Sequence, residues 1–340
     1  MDRQASHRMR SRPALRIARP YNPGLVALVA LLGLAWRAPA AVAGVPDEAP
    51  LDVVVTTKPL HALVVQVMNG VGVPQLLVTG AASPHAFALS PSGARALQSA
   101  RILFRISAAI EPFTRRLVET LPASVRVVTL SEAEGVTLLD QRTNGAFESH
   151  DHVDEAERGE PHAQAGTRSV LKDGHIWLDP ENAKAMVTAI AGTLSAAAPA
   201  HAGTFRENAA AARARLDALR QEIGEALAPV REKPFIVFHD AYQYFEHRFA
   251  LNAVGAITVS PEVQPSARRL SEIRARLSQT GAECVFAEPN FSPRLVAAVI
   301  EGTRARSGIL DPEGARLEPG PDAYDTLLRN LAAGLKACLE

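Results

Sequence analysis

Short apolar or β-branched runs alternate with helical periodicity along most of the chain. That alternation constrains the fold more than any other feature, because strands separated by helices build parallel sheets. Leu51–Thr56, Gln75–Val78, Arg101–Arg105 and Val125–Leu130 read as strands, with helices over Lys58–Met68, Pro91–Ser99 and Pro112–Thr120. The pattern returns at Phe235–Phe238, Ala253–Ile257 and Cys284–Ala287, now with helices over Tyr242–Phe249, Ser266–Gln279, Pro293–Thr303 and Tyr324–Cys338. Between the two sets lie helices over Glu181–Ala197 and Ala202–Ala228, closed by Pro199 and Pro229. The second presents Leu216, Leu219, Ile223 and Leu227 on one face. About 26 residues at 1.5 Å each give roughly 39 Å, enough to span two lobes. The expected fold is α/β: two strand–helix lobes with parallel sheets, joined by a long spine helix. The Pro- and Gly-rich stretch Asp311–Asp322 shows no periodicity and reads as a surface loop.

The N-terminus indicates where such a protein works. Arg8, Arg10, Arg12, Arg16 and Arg19 precede the apolar run Gly24–Trp36, and Ala41-Val42-Ala43 offers a small-x-small cleavage site before Gly44. Residues 1–43 are therefore expected to be a signal peptide, with Met9 an alternative start. An apolar run of about 13 residues falls short of the roughly 20 that span a bilayer. No cysteine stands at the cleavage site for lipidation, so a soluble periplasmic protein is expected. The remaining chain divides into a first lobe over 44–180, connecting helices over 181–229 and a second lobe over 230–340. Its 36 basic and 36 acidic residues give no reason to expect a nucleic-acid or membrane-surface partner. A monomer is expected.

Cys284 and Cys338 are the only cysteines, and in an exported chain they can pair. A disulfide between them would tie the last helix to a strand; two buried thiols are the alternative. Closing a loop of about 54 residues contributes on the order of 4 kcal/mol in the chain-entropy model. Residues 144–167 break the pattern with an acidic, Gly-containing segment carrying His150, His152 and His162. It is expected to be a solvated loop, either a charged surface insertion or a weak metal-collecting one.

Four further residues could hold a metal. His85 stands in Ser83-Pro84-His85-Ala86-Phe87, and His175 follows Asp173-Gly174 and precedes Ile176-Trp177-Leu178. His239 ends the apolar strand Phe235–Phe238, at the carboxyl end where open α/β sheets present ligand groups. Asp311 precedes Pro312 and either ligates or opens a turn. Imidazoles with at most one carboxylate suit zinc above other divalent ions. His61 is expected to be a structural or rim residue.

The segments around these residues carry a resemblance. His85, His175-Ile176-Trp177-Leu178-Asp179-Pro180, Phe238-His239-Asp240-Ala241-Tyr242-Gln243-Tyr244-Phe245, Cys284-Val285-Phe286-Ala287-Glu288-Pro289 and Gly308-Ile309-Leu310-Asp311-Pro312-Glu313-Gly314 occur in that order. In these the chain resembles the periplasmic zinc receptors of ABC uptake systems, within the cluster A-I metal-binding proteins, over essentially the whole mature length. The resemblance implies one Zn2+ in the cleft between lobes, with His85 and His175 from the first and His239 and Asp311 from the second. It also implies an inner-membrane ABC permease as partner. Manganese receptors of the same fold carry glutamate at the position of His239, so the histidine here favours zinc. Asp179, Asp240 and Glu288 are candidates to orient the rings. An exported zinc hydrolase is the rival class. The chain has no His-Glu-x-x-His or Gly-x-Ser-x-Gly motif, so no enzymatic activity is expected.

Overall fold

A computed structural model of the chain describes residues 51–143, 145–147, 171–258 and 264–340. The signal segment and His150, His152 and His162 lie outside these residues. Two four-stranded, all-parallel sheets carry the architecture. The first contains β1 (Val53–Val55), β2 (Gln75–Leu76), β3 (Ile102–Arg105) and β4 (Arg126–Thr129) in the order β2-β1-β3-β4. The second contains β5 (Pro234–His239), β6 (Asn252–Thr258), β7 (Cys284–Ala287) and β8 (Arg306–Ile309) in the order β6-β5-β7-β8. Both lobes thus repeat one winding. In each, the first strand lies between the second and third, and the order reverses there; such a switch point opens a crevice at the carboxyl ends of the strands.

Sequence periodicity did not reveal β8. Arg306-Ser307-Gly308-Ile309 has a single large apolar residue, which is more than half exposed, because β8 is the edge of its sheet and pairs only with β7.

Alternation along the strands sorts side chains into two cores. Val53 and Val55 of β1, with Phe235 and Val237 of β5, join one large apolar cluster. Val54 faces a separate cluster with Leu97 and Leu103, while Ile236 and Phe238 face another with Ile273 and Val285. The large cluster is shared by both lobes. Its centre is α5 (Ala202–Leu227), which buries Phe205, Ala209, Ala212, Leu216, Leu219, Ile223 and Leu227. This helix packs on α1 (Lys58–Met68) of the first lobe, on α4 (Pro180–Ala197), and on α9 (Ala323–Leu339) of the second. Helix α1 also touches α9 directly. A continuous helix buried along one face against both lobes resists hinge bending.

Further ties cross between the lobes. Arg142 pairs with Asp240 and with Glu246, stacks 3.7 Å from the Phe147 ring centroid, and so fixes a first-lobe connection on the second sheet. Ala146 O accepts from Arg269, and Gly145–Phe147 packs against β6. The C-terminus is closed by a disulfide between Cys284 in β7 and Cys338 in α9. Among the described residues, no helix is long and apolar enough to cross a membrane.

Candidate metal centre

His239 is the last residue of β5, and period two places it on the same face as Phe235 and Val237, toward the shared core. Its ring is 1% exposed, and Nδ1 lies 2.6 Å from Glu288 Oε1. Glu288 follows β7, the neighbour of β5 in the sheet, so strand pairing sets this contact across 49 residues. The Tyr242 hydroxyl donates to the same oxygen at 3.3 Å.

His175 is supported locally. Asp173 Oδ1 accepts the His175 backbone N–H at 3.0 Å and lies 2.7 Å from its Nδ1. Gly174 between them cannot be larger, because a Cβ there would fall 2.4 Å from Ile110 Cγ1. Beyond His175 a buried 3-10 turn, Ile176–Leu178, leads into α4. The second lobe holds this segment too: the Tyr244 hydroxyl donates to Asp173 O at 2.7 Å, and the Tyr324 hydroxyl donates to Trp177 O at 2.6 Å.

His85 sits in the 3-10 turn Pro84–Ala86, whose start is capped by Ser83 Oγ accepting the His85 N–H at 3.3 Å. Its Nε2 is buried with no hydrogen-bond partner.

These three side chains converge. One nitrogen from each of His85, His175 and His239 lies within 4.8 Å of the others, and no other such group of His, Cys, Asp or Glu exists among the described residues. The Nε2 atoms of His175 and His239 are 3.4 Å apart. Both rings turn Nδ1 to a carboxylate, which fixes the Nδ1–H tautomer and leaves two bare Nε2 lone pairs facing each other. Zn–N bonds of 2.0–2.1 Å in a tetrahedron put ligand nitrogens about 3.3 Å apart, so the spacing matches one edge of a zinc site.

Electrostatics divide the labour of the rings. Burial, reinforced by the neighbouring His175 and His239, lowers the pKa of His85 to about 2, so this imidazole is neutral and ready to ligate. Burial also pushes His239 down, but the charge and hydrogen bond of Glu288 outweigh it, and its pKa lies above the ordinary histidine value. A proton therefore competes for His239 more strongly than for an ordinary histidine, while His85 is free of one.

The other expected residues take different places. Asp311 lies outside the histidine group, and its Oδ1 accepts the Glu313 N–H at 3.2 Å. Asp179 caps α4 through Glu181 N at 2.9 Å and accepts two bonds of 2.7 Å from Arg248, instead of facing a ring. Asp240 pairs with Arg142. Both arginine pairs link a connection or helix following the first sheet to the loop and helix following β5, so these carboxylates join lobes. His61 is buried in α1 with Nε2 3.0 Å from Pro74 O, and burial lowers its pKa. Asp173 was not foreseen; Asp-Gly reads as a turn, and only its position two residues before a histidine hinted at an acceptor.

Comparison with known proteins gives the family and supports the fold. The family model described as "ZnuA: Zinc-uptake complex component A periplasmic" matches residues 53–338. The chain is 46% identical over 308 residues to the high-affinity zinc uptake system protein ZnuA of Brucella abortus, covering 84% of this chain and 91% of that protein. It is 36% identical over 333 residues to the protein of the same name from Paracoccus denitrificans, covering 94% and 98%. Among solved structures, a crystal structure of ZnuA superposes with a TM-score of 0.70 at 23% identity, covering 85% of this chain and 99% of the other. The laminin-binding protein of Streptococcus agalactiae, described as bifunctional with adhesin and metal-transporting activity, has a TM-score of 0.68 at 26% identity, covering 85% and 99%.

Proposed function

The chain belongs to the family of zinc-uptake complex component A periplasmic proteins, and from that membership we propose that His85, His175 and His239 hold its zinc ion. The protein is a zinc-binding receptor for ABC-type zinc uptake and not an enzyme. One observation carries the ligand assignment: two buried Nε2 atoms 3.4 Å apart, each with its Nδ1 on a carboxylate. Two lone pairs at that distance repel unless a cation lies between them. Three neutral imidazoles favour zinc over manganese, which prefers oxygen.

Glu288 and Asp173 raise the basicity of the rings they hold and fix their tautomers. Because two ligands come from the first lobe and one from the second, a bound ion would fasten the lobes together. Release would require a proton at His239 or a small shear between lobes, since the shared core around α5 opposes a wide hinge.

We propose the export route, the division into lobes and the membrane partner as well. Residues 1–43 direct export and are cleaved near Gly44. The lobes divide at 44–180, 181–229 and 230–340, and a monomer delivers zinc to an ABC permease of the inner membrane without any nucleic-acid partner.

Calorimetric zinc titration of the chelator-stripped mature protein, with manganese as competitor, tests the reading. One tight zinc site per chain, indifferent to manganese, is expected. No tight site, or manganese bound as well as zinc, would overturn it.

A further inference from the structure

Lys58 is the only buried lysine among the described residues, and the ligand chemistry above makes no use of it. It stands at the start of α1 in the first lobe, where its Nζ donates to Gly314 O at 3.0 Å, Ala315 O at 2.8 Å and Leu317 O at 3.0 Å. An ammonium has three N–H groups, so three carbonyls satisfy it completely. All three carbonyls belong to the loop 311–322, which follows β8 in the second lobe. Burial lowers the pKa of Lys58, and the charges of Asp311, Glu318 and Glu313 oppose that shift.

Two more first-lobe side chains grip the same loop by its backbone. The Trp177 indole, two residues past His175, donates to Pro312 O at 2.8 Å, and Gln66 Nε2 of α1 donates to Pro321 O at 2.6 Å. The loop thus hangs from the first lobe, although its chain belongs to the second. Lys58 and Trp177 hold the end that closes over the histidines, while Gln66 holds the far end. At the near end Glu313 Oε1 lies 4.0 Å from His85 Nε2, and the Trp177 ring packs 5.3 Å from that of His175. Glu313 and Ala315 join Lys58, Pro84 and Trp177 in the wall of a cavity of about 10 Å3, room for a single water. A shear that parts His239 from His85 and His175 stretches a strap fixed to both lobes. The strap also keeps bulk water from the His85 side of the centre. We infer, on the zinc-receptor reading above, that Lys58 is a positioning residue that sets the rate of zinc release, by fastening the second-lobe loop over the first-lobe ligands.

Release is measured on the zinc-loaded full mature chain by mixing with excess chromogenic chelator, for the wild type, Lys58→Met and Gln66→Met. Methionine keeps an unbranched apolar chain but has no donor, and Gln66→Met cuts the same loop from the same helix away from the histidines. Visible absorption of the Co2+-loaded proteins reports the ligand set. Zinc should leave Lys58→Met at least about tenfold faster than wild type, and Gln66→Met within about threefold of it. The Co2+ bands should be the same in all three. Wild-type release from Lys58→Met would overturn the inference, as would equal acceleration in Gln66→Met, which would trace the effect to general loosening. Altered Co2+ bands in Lys58→Met would overturn it too, because the ligands themselves would then have moved. Should Lys58→Met fail to fold, Trp177→Phe takes its place, since it keeps a ring beside His175 and loses only the bond to Pro312 O; wild-type release from it would then overturn the inference. Failure of the wild type itself to bind zinc tightly would instead overturn the receptor reading, so the two failures are distinguishable.

Discussion

The two lobes share one strand order and yet deliver their histidines by different means. In the second lobe, His239 ends the innermost strand, and its partner Glu288 follows the adjacent strand. In the first lobe, His85 and His175 belong to irregular connections, each stabilised within two residues, by Ser83 and by Asp173. Regular strands fix a side chain through many shared hydrogen bonds, whereas a connection relies on a few local ones. The second lobe is therefore the rigid anchor of the site, and the first lobe is the part that adjusts.

Deleting ligands tests that difference most strongly. His239→Ala removes the only imidazole of the anchoring lobe and should weaken zinc binding by at least about 1,000-fold, more than the loss of a supporting group. His85→Ala should cost about tenfold less, because its ring has no carboxylate support and its turn can rearrange. Titration of both variants decides the matter, and equal losses would break the comparison.

Supporting carboxylates come next in size. Glu288→Gln should weaken zinc by about 10- to 100-fold, and Asp173→Asn by about tenfold. Glu288 reaches His239 from another strand, so no local group replaces its charge. In Asp173→Asn the amide oxygen would still accept the His175 N–H. A larger loss in Asp173→Asn would reverse the assignment of anchor and adjustable lobe.

How much of this was readable in the sequence follows the same division. Strand–helix alternation, the two lobes and the long helix were legible because apolar periodicity records burial, and His239 was legible as the end of an apolar strand. His85 and His175 stood out through the segments around them. Edge strand β8 was not legible, since its exposed residues carry no apolar signal. Nor were the partners of Asp179 and Asp240: an ion pair with Arg248 or Arg142 depends on tertiary placement and leaves no local pattern. The approach of Glu313 to within 4.0 Å of His85 was not legible either, since it too depends on tertiary placement.

Acidification should act mainly through the anchoring lobe. His239 has a raised pKa, so zinc affinity should begin to fall at a pH above the ordinary histidine value, by about tenfold per pH unit for one proton. His85, lowered to about 2, adds nothing in that range. Glu288→Gln should move the onset to lower pH. For metal-free protein the sign is opposite: protonated His239 stabilises the fold below its unfolded pKa, and that contribution fades as pH rises through the folded one. Glu111 and Glu246, pushed up to about 7 by burial, act in the same direction. The His239 share is therefore the difference in urea stability between wild type and Glu288→Gln at pH 6 and 8. No difference would remove His239 from the proton competition.

The smallest effect on zinc should come from the disulfide, which belongs to the second lobe alone. Cys284 opens β7 and Cys338 lies in α9, 54 residues apart, so the bond closes a long loop. Cys338→Ser should lower stability by about 2–5 kcal/mol. Glu288 lies just past the other end of β7, where Ala287 pairs with Ile309, and the N-terminal half of the strand pairs with β5. Those backbone bonds remain when sulfur is lost, as does the buried contact between Glu288 and His239. Zinc affinity should accordingly change by less than about threefold while the melting temperature falls. If Cys338→Ser weakened zinc as much as Glu288→Gln, the rigidity of the anchor would reside in the covalent link and not in the pairing of β5 with β7.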